Sequence, residues 1–394
     1  MSPDCVQMVS AALVTMEGLS ARYLGAYGND FVPTPNIDQF ASTGVLFENV
    51  LAAIGCRGNR LIPSRQAANH HPMLPWMETL LRGESRHYLV TDDSELAQLD
   101  DPNLVVIEID VDIPTTTPLD EWNTHLAKWF AQAGEVLGYL QPGEWIWLHS
   151  NSLMRLWDSP LEWRQRMTAD GESTPFAGCE PLTIDSADDD TIWKARAAYA
   201  AQVAVLDRCW GAWLAHCNQW QESNGPMLIG LGSISGYPLG EHRVIGDATC
   251  IPYHESLHVP WIIQPSQPRQ HGTRLGHVTD PSGVVQFAID CCSLGLKGAM
   301  ERQGALPNKK REIWIGEVAP IRMMRTHLWF FVESEQCVQL FLKPDDRWDQ
   351  NDVSSRCPQV VESFQILWSQ LSEQPQRGAI TLHHELPTEL TTPP

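Results

Sequence analysis

Positive charge is what this chain has least of. Against 48 Asp and Glu stand only 27 Lys and Arg in 394 residues, a formal charge of -21. Such a surface repels polyphosphates, so neither nucleic acid nor anionic lipid is expected as a partner. Long apolar runs are missing too: no stretch approaches the roughly 18 uninterrupted apolar residues of a membrane-spanning helix. There is no C-x-x-C pair, so a cysteine-based zinc site is not expected. The ten cysteines (Cys5, Cys56, Cys179, Cys209, Cys217, Cys250, Cys291, Cys292, Cys337 and Cys357) are scattered along the chain, and read as reduced, mostly buried thiols. The first residues place Asp4 where an export signal carries Lys or Arg, and Ser10 interrupts a short apolar stretch; a cytoplasmic location is expected. No internal repeat is found.

What is present is apolar: 43% of residues are hydrophobic and 19% charged, enough for one large core with a smaller unit attached. Short apolar runs recur at 9–15, 87–91, 104–109, 145–148, 227–231 and 259–263, the pattern of strands buried on both faces. Between them lie helical stretches. From Ile192 to Gln221, the residues Ala198, Val205, Leu206, Trp210, Trp213 and Leu214 fall on one face. From Leu119 to Leu140, Trp122, Leu126, Trp129, Phe130 and Leu137 repeat the stripe. This alternation predicts an α/β fold with a large, mostly parallel central sheet flanked by helices on both faces. Past residue 300 the texture changes to strand-like runs at 313–315, 327–332 and 338–342 and a helix at 358–371. The expected division is 1–304 for the main domain, 305–374 for a small α+β subdomain, and 375–394 for a loosely held Pro- and Thr-rich tail.

Three blocks carry a resemblance. They are VTMEGLSARYLGAYGNDFVPTPNIDQFASTGVLFENV at 14–50, YAAQVAVLDRCWGAWL at 199–214 followed by LGEHRVIGDATCIPYHESLHVPWII at 239–263, and VQLFLKPDDRWDQNDVSSRCPQVVESF at 338–364. In order and spacing this resembles the sulfatase family of the alkaline phosphatase superfamily, over nearly the whole chain. The resemblance implies a nucleophile formed by oxidising Cys or Ser in C/S-x-P-S-R, and a divalent cation held by carboxylates. Here the pentad is Leu61-Ile62-Pro63-Ser64-Arg65. Leucine has no heteroatom to oxidise or to attack with. Glu17 matches the first metal carboxylate, but Ile234 and Ser235 match the family's Asp-His pair. Asp247 replaces the lysine that would steady a sulfate, and Leu153 and Met154 align with a Pro-His pair. Pro63-Ser64-Arg65 survive, and of the catalytic-type side chains Arg65 and His242 alone stay in register.

The resemblance therefore predicts the scaffold of a sulfatase with a degenerate centre: Glu17, Leu61, Ser64, Arg65, Ile234, Ser235, His242 and Asp247 mark a vestigial site, with no catalytic residue assigned. No cofactor is expected, and Glu17 is the single metal candidate. The chain reads as a non-catalytic pseudoenzyme working through a small ligand or a protein partner, its former pocket filled by side chains. The alternatives are a structural subunit, or a sulfate- or phosphate-ester hydrolase rebuilt around Glu17, Ser64, Arg65 and His242; only that hydrolase would call for calcium or magnesium. Arg65 reads as a residue tied to carboxylates such as Glu17, Ser64 as a helix cap, and Cys56 as an ordinary thiol. His70, His71, His87, His149, His242, His254 and His258 read as structural or surface histidines, the acidic run Asp185 to Asp190 as a solvated loop, and Trp129, Trp145, Trp210 and Trp213 as core.

Overall fold

The computed structural model describes residues 9–52, 81, 85–110, 114, 116–168, 178–246, 252–267, 271–302, 311–318, 320–371 and 378–393. Cys56, Leu61, Ser64, Arg65, His70, His71 and Asp247 lie outside them. The large sheet is built from β1 (Ser10–Met16), β2 (Val45–Leu51), β3 (His87–Thr91), β4 (Leu104–Glu108), β5 (Trp145–Ser150), β6 (Met227–Gly232), β7 (His258–Gln264) and β8 (Thr273–Thr279). Their spatial order is β4-β3-β5-β1-β6-β7-β2-β8. Only β7 runs against its neighbours; the remaining pairs are parallel. This is the predicted α/β architecture.

β1 is buried along its whole length, which is why its sequence is a continuous apolar run and not an alternating one. From β1 the chain crosses to β2 on one side, and β3 and β5 then build the other side. The carboxyl ends beside β1 are therefore the place where a sheet of this kind forms a crevice. One face of the sheet packs against helices α1 (Pro35–Thr43), α2 (His125–Leu137) and α3 (Asp189–Asn224). The other packs against α4 (Pro281–Arg302), whose Phe287 meets Phe47 edge-on at 5.3 Å. Trp129, Trp210 and Trp213 are fully buried, each worth on the order of 3 kcal/mol of burial.

The two long helices differ from their predicted spans in instructive ways. α3 starts at Asp189 because Asp188 accepts from the Thr191 amide at 2.8 Å, so the acidic run is an exposed loop, as expected, that ends in a helix start. Its charges are spent there: Asp190 pairs with Lys194 and Asp189 with Arg243. α2 begins only at His125, since Asp120 caps a separate turn at 121–123. Trp122, expected on the buried stripe, is consequently exposed.

The smaller unit is an antiparallel sheet of β9 (Glu312–Val318), β10 (Ile321–Arg325), β11 (Trp329–Glu333), β12 (Val338–Leu342) and β13 (Gly378–Thr381), ordered β12-β11-β10-β9-β13. Helix α5 (Pro358–Leu371) covers it. The end of the chain corrects the expectation of a loose tail. β13 pairs with β9, and Leu382, Leu386 and Leu390 are buried in the same apolar cluster as Phe364 and Trp368. Of the described cysteines, Cys179, Cys209, Cys217, Cys291 and Cys292 are buried free thiols, Cys357 is half-buried and Cys337 exposed.

Candidate functional site

Three adjacent strands, β3, β5 and β1, deliver polar side chains to one point. β1 ends on Thr15-Met16 and is followed by Glu17; β5 places His149 opposite Thr15, and β3 places Thr91 opposite His149. Asp93 follows β3 by two residues. One ligand atom from each of Glu17, Asp93 and His149 lies within 4.8 Å of the others, and all three side chains are buried.

Much of this cluster is held by structural hydrogen bonds. The Thr15 hydroxyl lies 2.8 Å from His149 Nδ1 and accepts from Trp147 Nε1 at 2.8 Å. A hydroxyl has one hydrogen, so the tautomer decides the site's chemistry. If Thr15 donates to Nδ1, Nε2 carries the proton and the imidazole is a donor to carboxylates. If Nδ1 donates to Thr15, Nε2 presents a lone pair fit for a metal. Asp93 uses Oδ1 to accept from the amides of Glu95 and Leu96 at 2.8 and 3.2 Å, capping the turn at 96–98, while Oδ2 accepts from the Asn151 side-chain Nδ2 at 3.3 Å. Beside it, Asp92 accepts from Ser150 Oγ at 2.6 Å and the Asn151 amide at 2.8 Å. Burial nevertheless raises its carboxyl above the usual range.

The turn after Glu17 is fixed by Tyr199, whose hydroxyl donates to the Gly18 carbonyl at 2.7 Å and accepts from the Ser20 amide at 3.0 Å. Gly18 has φ +85°, and a Cβ there would meet Met154 Sδ at 2.8 Å with Leu153 close behind. The positions aligned with the family's Pro-His pair thus do stand beside Glu17, and they present an apolar wall.

On the far side of β1, the end of β6 supplies little that is charged. Ile234 is 4% exposed and belongs to the apolar cluster against α4. The Ser235 hydroxyl is 3.4 Å from Glu17 Oε1, and its carbonyl receives the Gly18 amide at 3.0 Å. The preceding Gly232 leaves room for the Trp261 indole, which a Cβ would overlap at 2.2 Å; that indole donates to the Ser233 carbonyl at 2.7 Å. A hard cation wants six or more oxygens, several of them charged. The arrangement that the resemblance implies does not fit, because its β6 half is isoleucine and serine. The donors of Glu17, Asp93 and His149 would instead suit a borderline ion that accepts nitrogen as well as oxygen.

The LGEH segment is also structural. Glu241 pairs with Arg22 and accepts from the Leu239 amide at 2.9 Å. His242 stacks on Tyr253 with centroids 3.9 Å apart. Its Nδ1 is 2.6 Å from Glu255 Oε1 and its Nε2 is 3.0 Å from the Asp349 carbonyl. Burial alone would lower this histidine, but the Glu255 hydrogen bond and charge outweigh it and hold the ring above its ordinary value. His242 is therefore a strut between the main domain and the smaller one. Of the vestigial positions that are described, Glu17 and Ser235 come together, Ile234 packs into the apolar cluster against α4, and His242 is engaged elsewhere. Asp93 was missed by the sequence reading, and His149 was taken as ordinary. The signal for both was a polar pair closing an apolar run, Asp-Asp after HYLVT and His-Ser at the end of WIWLHS.

No family profile matches the sequence, and no curated protein does. Solved structures do. A phosphonate monoester hydrolase of Agrobacterium radiobacter superposes over 96% of this chain and 100% of its own, at TM-score 0.66 and 16% identity. A sulfatase assigned in Bacteroides thetaiotaomicron covers 93% and 92% at TM-score 0.65 and 14% identity. Another, from Bacteroides fragilis, covers 94% and 97% at TM-score 0.62 and 13% identity. At such identities the likeness is one of fold: the chain has the sulfatase fold, over 93–96% of its length.

Proposed function

We propose that this sulfatase-like chain is a non-catalytic protein that acts by binding a small ligand or a protein partner. The observation that carries the reading is Ile234, packed in the apolar core where the resemblance calls for a charged metal ligand. Three further points support it. Leu61 offers no heteroatom for a covalent intermediate, Leu153 and Met154 wall the Glu17 turn with apolar atoms, and Asp93 is occupied as a turn cap. A cytoplasmic setting belongs to the proposal, in keeping with the free thiols.

A second reading is favoured by one observation, the convergence of Glu17, Asp93 and His149. In it the chain is a sulfate- or phosphate-ester hydrolase whose centre has moved toward β3 and β5. Elemental analysis of purified protein, combined with a screen of aryl sulfates and phosphate mono- and diesters, separates the two. We expect no stoichiometric metal and no turnover above background. Turnover abolished by Glu17→Gln and by His149→Ala would establish the hydrolase instead.

A further inference from the structure

A cavity of about 390 Å3 opens where β2, β7 and β8 of the large sheet meet the smaller subdomain. It lies two to four strand positions from β1, roughly 10–19 Å across the sheet from Glu17, and none of Glu17, Asp93 and His149 lines it. Its walls carry Arg274, Arg325, Lys343 and Arg347 with His254 and His258. Four permanent cations around one cavity are unexpected in a chain of net charge -21.

The counter-charges fall short. Lys343 is paired with the buried Asp349, and Arg274 lies 3.4 Å from Glu48 Oε1. Arg325 and Arg347 have no carboxylate partner among the described residues. Arg325, itself buried, donates to the Thr326 carbonyl at 2.6 Å, and Arg347 to the Tyr27 carbonyl at 2.9 Å. Carbonyls satisfy hydrogen bonds but do not neutralise charge, and Asp349, which acts on Arg325 without a direct ion pair, is already paired with Lys343, so the cations outnumber the carboxylates near them, a costly state for a buried guanidinium. Arginine is also the side chain best shaped for a tetrahedral oxyanion, since its fork can give two parallel hydrogen bonds.

The histidines narrow the choice of anion. His258 is 7% exposed; its Nε2 is 2.7 Å from the Glu48 carbonyl, which can only accept, so Nε2 carries the proton. Its Nδ1 is then a buried acceptor, and it has no hydrogen-bond partner among the described residues. The His254 ring stands 4.5 Å away, with its Nε2 also buried and unmatched. A ligand that fits must bring negative charge for the arginines and a hydroxyl proton for a neutral imidazole. Inorganic phosphate keeps at least one proton near neutral pH and a phosphate monoester has one in its monoanionic form, whereas sulfate has no proton to give.

We propose that this cavity is a phosphate-binding site, separate from the Glu17 centre, that takes a phosphate-bearing small molecule. The volume falls in the range of small-molecule sites and exceeds what one phosphate fills. The proposal stands whether or not the chain is catalytic.

Calorimetric titration of the full chain with inorganic phosphate tests it, with sulfate at matched ionic strength as the comparison. Saturable phosphate binding is expected, with sulfate weaker. Arg347→Gln, at a half-buried position, is expected to weaken phosphate by about tenfold through loss of one charge-assisted pair. Glu48→Gln, which removes the one carboxylate lining the cavity among the described residues, is expected to strengthen it. Arg65→Ala, aimed at the vestigial centre, is expected to leave it unchanged. The proposal is overturned if phosphate shows no saturable binding, if sulfate binds as tightly, if both cavity variants match the wild type, or if Arg65→Ala abolishes the signal.

Discussion

Asp207, in the middle of α3, caps α1 from 170 residues away: its Oδ1 accepts from the Ile37 amide at 2.8 Å. Its Oδ2 takes the Asn36 side-chain nitrogen at 2.8 Å and the Asn36 amide at 3.3 Å. Thr34, the residue placed to cap α1 locally, makes no capping bond and instead accepts from the Gly25 amide at 2.9 Å. One carboxylate therefore ties the first helix to the longest one, and both to the same face of the sheet.

Asp207→Ala is expected to cost about 3 kcal/mol, because it strands buried amides that a local cap does not serve. Asp207→Asn is expected to cost less, since one carbonyl oxygen remains for Ile37 while the new amide faces the Asn36 donors. Denaturant unfolding of the three proteins checks the order, and equal stability of wild type and Asp207→Ala would rule the cap out.

Ile234→Asp tests the opposite substitution, returning a carboxylate to the end of β6. The side chain is packed among apolar neighbours, so the charge has no water and no cation to meet. The variant is expected to lose about 4 kcal/mol, and millimolar calcium or magnesium is expected not to restore it. Recovery of the wild-type melting temperature on adding either ion would show that the family's metal arrangement is still latent here.

How much of this was legible beforehand follows from the distance over which each feature is encoded. β1, β5 and β6 announce themselves because a strand buried on both faces must be apolar throughout, and that pattern is local. Glu17 was legible through the resemblance of its flanking motif. Asp93 and His149 were not, because their nearness to Glu17 depends on the spatial order β3-β5-β1, which no local pattern encodes. The cationic cavity was hidden for a similar reason. Arg274, Arg325, Lys343 and Arg347 are spread over two domains, and each alone looks like a surface charge in an acidic chain. The closing segment misled in the other direction: its Pro and Thr content suggests a loose tail, while the spacing of Leu382, Leu386 and Leu390 by four carries the buried contact.

Ending the chain at residue 377 puts that contact to the test. It removes β13 from the edge of β9, together with three buried leucines. The Glu389 carbonyl that accepts from Trp329 Nε1 at 3.0 Å goes as well. Losing this apolar burial is expected to cost on the order of 5 kcal/mol and to expose Trp329, which intrinsic fluorescence reports as a red shift. A truncated protein with wild-type melting and unchanged emission would mean that the segment contributes nothing to the subdomain.

The final prediction concerns acid. Burial, followed by the charges of Arg347, Arg325 and Lys343 and opposed by the Glu48 carbonyl, pushes His258 down to about 4. In an unfolded chain it titrates near 6.5. Its contribution to stability is therefore complete above that value and is lost as the pH falls, since the unfolded state takes up a proton that the folded state refuses. Buried carboxylates such as Asp92 and Asp349, raised by burial, act in the opposite sense over an overlapping range, so the informative quantity is a difference between variants. His258→Gln keeps a donor for the Glu48 carbonyl and removes the titration. Relative to wild type it is expected to gain about 2 kcal/mol between pH 7.5 and pH 5, from the one and a half units traversed below 6.5. Chemical denaturation at both pH values measures this directly. Parallel pH slopes for the two proteins would show that His258 takes up its proton as readily in the folded state as in the unfolded chain, in which case at pH 5 the cavity holds a further positive charge and a stronger demand for an anion.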